Sequence, residues 1–133
     1  MKGLLLDTHI LLWWLNDDPR LPKPLRDRLC AQDLACFVST ATLWEIGIKR
    51  ALGKLEAPAS LAPAMAEEGF HGLPISLAHA ECAACLPPHH RDPFDRMLVA
   101  QAQLEGLTIA TVDPRLRRYD IALFPLDGRE SRT

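Results

Sequence analysis

The stretch Gly3-Leu4-Leu5-Leu6-Asp7-Thr8-His9-Ile10-Leu11-Leu12-Trp13 decides the fold class. Its first part is continuously apolar, the signature of a strand covered on both faces. Asp7 stops the run, and residues 9–16 read as a helix. The same alternation recurs along the chain. Ala35-Cys36-Phe37-Val38-Ser39 reads as a strand before a helix over 41–52, which Gly53 terminates. Helices are also expected over about 22–32, 58–68, 76–86 and 92–105, the last stopped by Gly106. Leu73-Pro74-Ile75 and Leu123-Phe124-Pro125-Leu126 contain prolines and are expected as edge strands. Leu107-Thr108-Ile109-Ala110-Thr111 is expected as an inner strand, followed by a short basic helix after Pro114. Strands spaced by helices imply right-handed crossovers and a parallel sheet between two helical layers, an α/β/α architecture. Strand order does not follow from these patterns.

A chain of 133 residues suits one domain, expected over 1–126, with a polar tail over 127–133. The formal charge is −2, which does not advertise a general nucleic-acid binder, so any such contact must come from local basic groups. No apolar run approaches the roughly 18–20 residues of a membrane span. The apolar N-terminus is interrupted by Asp7 with no cleavage site after it, so the expected location is the cytoplasm. Cys30, Cys36, Cys82 and Cys85 are then expected as reduced thiols.

Four acids stand where a parallel sheet gathers ligands, outside the carboxyl ends of strands. Asp7 closes the first strand, and Asp113 lies just past the strand ending at Thr111. Glu45 is one turn into the helix after the second strand, and Asp95 is in the first turn after the His89–Arg91 loop. Each also has an architectural reading. Asp7, Asp92 and Asp113 are suitable helix caps, Thr42-x-x-Glu45 resembles a capping box, and Glu45 can pair with Lys49 at i+4. Glu45, however, is set among Leu43, Trp44, Ile46 and Ile48, where a buried charge needs a partner or a metal. Clustered carboxylates repel one another, and a divalent cation relieves the conflict. All-oxygen donors suit Mg²⁺ or Mn²⁺ rather than zinc.

Four blocks occur in order: Leu5-Leu6-Asp7-Thr8-His9; Trp44-Glu45-Ile46-Gly47-Ile48-Lys49; His90-Arg91-Asp92-Pro93-Phe94-Asp95-Arg96-Met97; and Thr111-Val112-Asp113. In this order the sequence resembles the PIN-domain family, and within it the VapC-type toxins of toxin–antitoxin pairs. The resemblance spans about Leu4 to Leu126. It implies a metal-dependent endoribonuclease whose acidic quartet is Asp7, Glu45, Asp95 and Asp113, with Thr111 as the family's Ser/Thr near the metal. Asp92 is kept as a helix cap because Pro93 follows it. The resemblance further implies single-stranded or looped RNA as substrate, Mg²⁺ or Mn²⁺ as cofactor, a cognate antitoxin as partner, and a homodimer.

The phosphates of RNA need counter-charges, and Lys49, Arg50, Lys54, Arg96, Arg115, Arg117 and Arg118 all lie near the acids in sequence. For any one of them, a solvated surface charge is the default reading. His89, His90 and Arg91 offer another phosphate contact or a solvated loop. Trp13, Trp14 and Trp44 are expected in the core or at a protein interface rather than stacked on bases. Two other chemistries compete. Cys82, Cys85, His89 and His90 have the residue types of a zinc module, although the cysteines fall inside an Ala-rich helix. An aspartyl-phosphate phosphotransferase would use Asp7 as nucleophile, but His9 stands where such enzymes carry a second aspartate.

Overall fold

The computed structural model describes residues 2–126, and the polar tail over 127–133 lies outside them. Five parallel strands form one sheet: β1 (Gly3–Leu6), β2 (Ala35–Ser39), β3 (His71–Leu73), β4 (Thr108–Ala110) and β5 (Ala122–Leu123). Their spatial order is β3-β2-β1-β4-β5. The chain therefore moves outward from β1 through β2 to β3, then returns to β1's other side for β4 and β5. The reversal lies between β1 and β4, which makes their carboxyl ends the switch point of the sheet.

Alternation along β1 divides the core. Leu4 and Leu6 face one cluster with Ile10 and Leu11 of α1 (Thr8–Leu15), Leu25 and Leu29 of α2 (Lys23–Ala31), Ile46 of α3 (Thr40–Ala51) and Met65 of α4 (Ala62–Glu67). Leu5 faces the other, with Ile109 of β4 and Leu98, Val99 and Ala102 of α6 (Pro93–Glu105). α5 (Leu77–Cys85) packs along α6. Leu4, Leu5 and Leu6 are all fully buried, which is why β1 reads as an unbroken apolar run. Gly3 lets β1 approach β2 closely, since a Cβ there would lie 2.9 Å from the Ala35 carbonyl oxygen. Gly106 ends α6 in the left-handed conformation, at φ +68°.

Several expected boundaries move, each for a local reason. β3 ends at Leu73 because Pro74 has no N–H to continue the ladder. β5 comes earlier than expected, and only the Phe124 N–H, donating to the Ile109 carbonyl at 2.9 Å, extends the pairing before Pro125. α4 starts at Ala62 rather than residue 58, with no side-chain cap and Pro63 in its first turn. The short basic helix after Asp113 is a 3₁₀ segment, Pro114–Arg118. The cap of α3 is Ser39, whose Oγ accepts from the Ala41 N–H, not Thr42. Glu45 is thereby freed from a capping box. None of the described helices is long and apolar enough to cross a membrane.

Candidate functional site

Asp7 ends β1 and caps α1, its Oδ1 accepting from the Ile10 N–H at 2.9 Å. Its other oxygen accepts the Thr111 hydroxyl, which β4 delivers from the adjacent strand. Capping and site-building are thus one placement: the sheet's switch point coincides with the start of a helix. Thr8 turns its hydroxyl to Glu45 Oε1, and Lys49 Nζ donates to Glu45 Oε2 at 2.6 Å. Glu45 is buried, and these two donors hold it from α1 and from its own helix.

Asp92 caps α6, accepting from the Phe94 N–H at 2.8 Å and the Asp95 N–H at 3.4 Å. Asp95 is left free to face inward. It meets Asp113, the cap of the 3₁₀ segment, around the ring of His90. His90 Nε2 lies 2.9 Å from Asp95 Oδ2 and 3.3 Å from Asp113 Oδ2. One ligand atom from each of these three residues falls within 4.8 Å of the others. The Asp92 N–H donates to His90 Nδ1 at 3.2 Å, so the neutral ring carries its hydrogen on Nε2. That nitrogen is buried and, although close to both carboxylates, completes a hydrogen bond with neither.

The loop carrying His90 is itself clamped. Its backbone N–H donates to the Tyr119 hydroxyl, which in turn donates to the Pro87 carbonyl. The Arg96 guanidinium donates to the carbonyls of Pro87, Ala83 and Leu86 at 2.9–3.0 Å, and to that of His90 at 3.4 Å. Arg96→Ala should cost about 2–3 kcal/mol in chemical denaturation, because these carbonyls lose a charged donor together. A loss under about 0.5 kcal/mol, the level of an ordinary surface change, would remove this structural role.

Electrostatics point to a cation. Burial pushes the Asp7 carboxyl above the usual range, against the hydrogen bonds from Thr111 and Ile10. Asp95 is pushed up to about 6, first by burial and then by the charge of Asp92, with Asp7 and Glu45 adding to it and His90 opposing. At Asp113 partial burial also raises the carboxyl, but Arg115 overcomes it and the net direction is downward. Asp113 likewise raises Asp7, so all four acids act within one field. The residues fit a hard divalent ion: convergent carboxylate oxygens, a strained excess of negative charge, and little soft donor chemistry.

The other sequence candidates fare differently. Arg115 grips Asp113 with two hydrogen bonds, at 3.1 and 2.9 Å. Arg50 donates to the Ala57 carbonyl. Lys49 is joined to Glu45, and Arg96 to the loop, so neither is a free phosphate-binding charge. Trp14 is half-buried with its indole N–H on Glu68, whereas Trp44 is 66% exposed, against the core alternative for it. Among the described residues, the one group able to share an ion is His90, Asp95 and Asp113; Cys82 and Cys85 do not join His89 or His90. The zinc module is therefore not assembled. Asp7 has both oxygens engaged by Ile10 and Thr111, an arrangement unlike a free nucleophile.

His90 joins the acids, whereas its sequence suggests a phosphate contact, a solvated loop or a zinc ligand. Its only signal was its place before Arg91-Asp92-Pro93, and burial in the acid cluster arises from the fold.

The PIN domain family model matches residues 4–122. No curated protein matches the chain. Among solved structures, FitAB bound to the IR36 DNA fragment superposes with a TM-score of 0.69 at 21% identity, covering 98% of this chain and 99% of that one. FitAcB from Neisseria gonorrhoeae gives a TM-score of 0.65 at 21% identity, covering 92% and 97%. DNA-bound VapBC from Salmonella typhimurium gives 0.66 at 20% identity, covering 92% and 96%.

Proposed function

Because this chain belongs to the PIN-domain family, we propose that it is a divalent-metal-dependent endoribonuclease and the toxin of a toxin–antitoxin pair. The PIN domain is assigned to 1–126, and the protein works in the cytoplasm. The observation that carries the reading is the convergence of Asp95 and Asp113 on one point at the sheet's switch, in the field of Asp7 and Glu45.

Asp7, Asp95 and Asp113 are the residues assigned to hold Mg²⁺ or Mn²⁺, with Glu45 completing the set or orienting the attacking water. A bound ion supplies a water of lowered pKa and positive charge opposite the phosphate. The chain's own groups do the rest. Thr111 fixes one oxygen of Asp7, while Thr8 and Lys49 fix Glu45. Lys49 also offsets the acids, its own pKa raised first by the hydrogen bond to Glu45. Water adds to phosphorus, the bond to the 3′-oxygen breaks, and that oxygen takes a proton. The products carry a 5′-phosphate and a 3′-hydroxyl. Incubating RNA with the protein and Mg²⁺ tests this: cleavage should occur and should stop with EDTA. Cleavage unchanged by EDTA sinks the metal-dependent reading.

His90 is assigned here as a positioning residue, its Nε2 seated between the carboxylates at 2.9 Å from Asp95 and 3.3 Å from Asp113, where bound metal would draw the three groups together. His90→Ala should weaken Mn²⁺ binding by about 10-fold or more, the range for groups that orient ligands. Isothermal titration calorimetry measures this directly. His90→Gln, which keeps a donor, should recover part of the loss. Equal affinity in wild type and His90→Ala would remove the role.

A protein partner is supported by the similarity of this fold to a toxin–antitoxin complex from Klebsiella pneumoniae, 21% identical with a TM-score of 0.63. Trp44 and Ile48 of α3 and Leu52, its C-cap, also form an exposed apolar stripe at i, i+4, i+8, a surface suited to a partner or to a homodimer. Expression without the antitoxin should arrest growth, while Asp7→Asn at equal abundance should not. Equal growth in the two strains would refute the toxin assignment.

A further inference from the structure

Beside Thr8 and Lys49, the two side chains that hold Glu45, the surface opens into a cleft of about 480 Å³. We propose that this cleft is a nucleotide subsite, holding one base and an adjoining phosphate of the RNA strand beside the scissile bond. The proposal rests on the nuclease reading and goes beyond it by assigning a binding site.

Three observations support it. The cleft is continuous with the acids, because Thr8 and Lys49 line it and both hydrogen-bond to Glu45. Its wall is aromatic: the exposed His9 ring lies 5.8 Å from the half-buried indole of Trp13, on the first turns of α1. Its rim carries Lys54, whose side chain has no ion-pair or hydrogen-bond partner among the described residues, with the exposed Glu56 nearby in sequence. The volume falls within the range of small-ligand clefts, roughly 300–1,000 Å³, which includes one nucleotide. Aromatic faces take any base by stacking, and an unpaired lysine takes a phosphate as a point charge. Arg20 lies 5.3 Å over the Trp13 ring with its charge already engaged by Asp18, so it braces the wall rather than competing for phosphate. Trp13 packs against the core, as expected, and also lines the cleft. The indole belongs to the core at its base and to the cleft through its contact with His9.

The test uses the full chain carrying Asp7→Asn, so that RNA is not cut, with Mg²⁺ present. Fluorescein-labelled single-stranded oligo(A) and oligo(U) dodecamers are titrated by fluorescence anisotropy. His9→Ala and Lys54→Glu, both at exposed positions, should each weaken binding about 10-fold, and Lys54→Glu should lower the salt slope by about 1. Lys23→Glu, at a residue of α2 that lines a different cavity and pairs with Asp27, should bind like the parent. Unchanged affinity in either cleft variant, or no binding by the parent, overturns the subsite. If the cleft instead serves an acidic segment of the protein partner, Lys54→Glu will weaken that complex and leave RNA affinity intact, which also overturns it. Cleavage by wild type on the same oligonucleotides is scored separately. Loss of binding differences with Asp7-dependent cleavage retained sinks only the subsite, whereas cleavage that survives Asp7→Asn sinks the nuclease reading.

Discussion

Asp7→Asn should reduce RNA cleavage by about a thousandfold, equivalent to about 4 kcal/mol of transition-state stabilisation. The physical reason is that one atom changes at the point where β1, α1 and β4 meet. The amide oxygen can still accept from the Ile10 N–H, so the α1 cap survives. What is lost is a negative charge in the field of Asp95 and Asp113, where the ion is proposed to sit. The same substitution should not destabilise the metal-free fold. Burial already disfavours the charged form of Asp7, so a neutral amide removes a cost while keeping the shape. Expected together are near-abolished cleavage, measured by gel assay, and urea stability at least equal to wild type without metal. An unfolded variant would show that the carboxylate is structural, and an active one would show that it is dispensable.

Adding Mg²⁺ or Mn²⁺ at about 100 times the dissociation constant should stabilise the protein by about 2.7 kcal/mol, a rise in Tm of roughly 10 °C for a domain of this size. The effect should depend on pH in a defined direction. Asp95, raised to about 6 chiefly by burial and then by Asp92, is costlier to ionise in the folded chain than in the unfolded one. Its contribution to stability without metal is therefore fully present below the ordinary carboxyl pKa of 3.8 and is lost as pH rises through about 6. Metal binding needs the ionised form, so it has the opposite dependence. The metal-induced rise in Tm should be largest above pH 7 and shrink steadily below about 6, as Asp95 takes up its proton. Differential scanning fluorimetry across this pH range, with and without EDTA, measures both trends. A rise that is independent of pH, or persists unchanged in Asp95→Asn, would place the ion elsewhere.

The layered α/β class was legible because burial leaves a strong mark on composition. Gly3-Leu4-Leu5-Leu6 has no polar face, and a strand without one belongs inside a sheet covered on both sides. Gly53 and Gly106 marked helix ends for a local reason, since both adopt positive φ. Boundaries beside Pro63, Pro74 and Pro125 were less legible. Proline removes a donor without saying whether the element stops before it, bends at it or restarts after it.

Within the site, residue type and position on an element were local facts. Asp7 after a strand, Asp92 before Pro93 and Asp113 before Pro114 are readable as caps from neighbours alone, and the structure makes each of them a cap. What their free oxygens face was not local. The order β3-β2-β1-β4-β5 sets β4 beside β1, bringing Thr111 to Asp7 across 104 positions of sequence. Likewise the clamp of Arg96 and Tyr119 turns His90 from a polar loop residue into the buried partner of Asp95 and Asp113. Arg96 and Arg115 could be read as free cations only until the fold supplied their acceptors. Short-range chemistry therefore chose the elements, their caps and the acid inventory. Only chain crossover and long-range packing decided which charges meet, because Coulomb forces and hydrogen bonds depend on separation in space and not on distance along the chain.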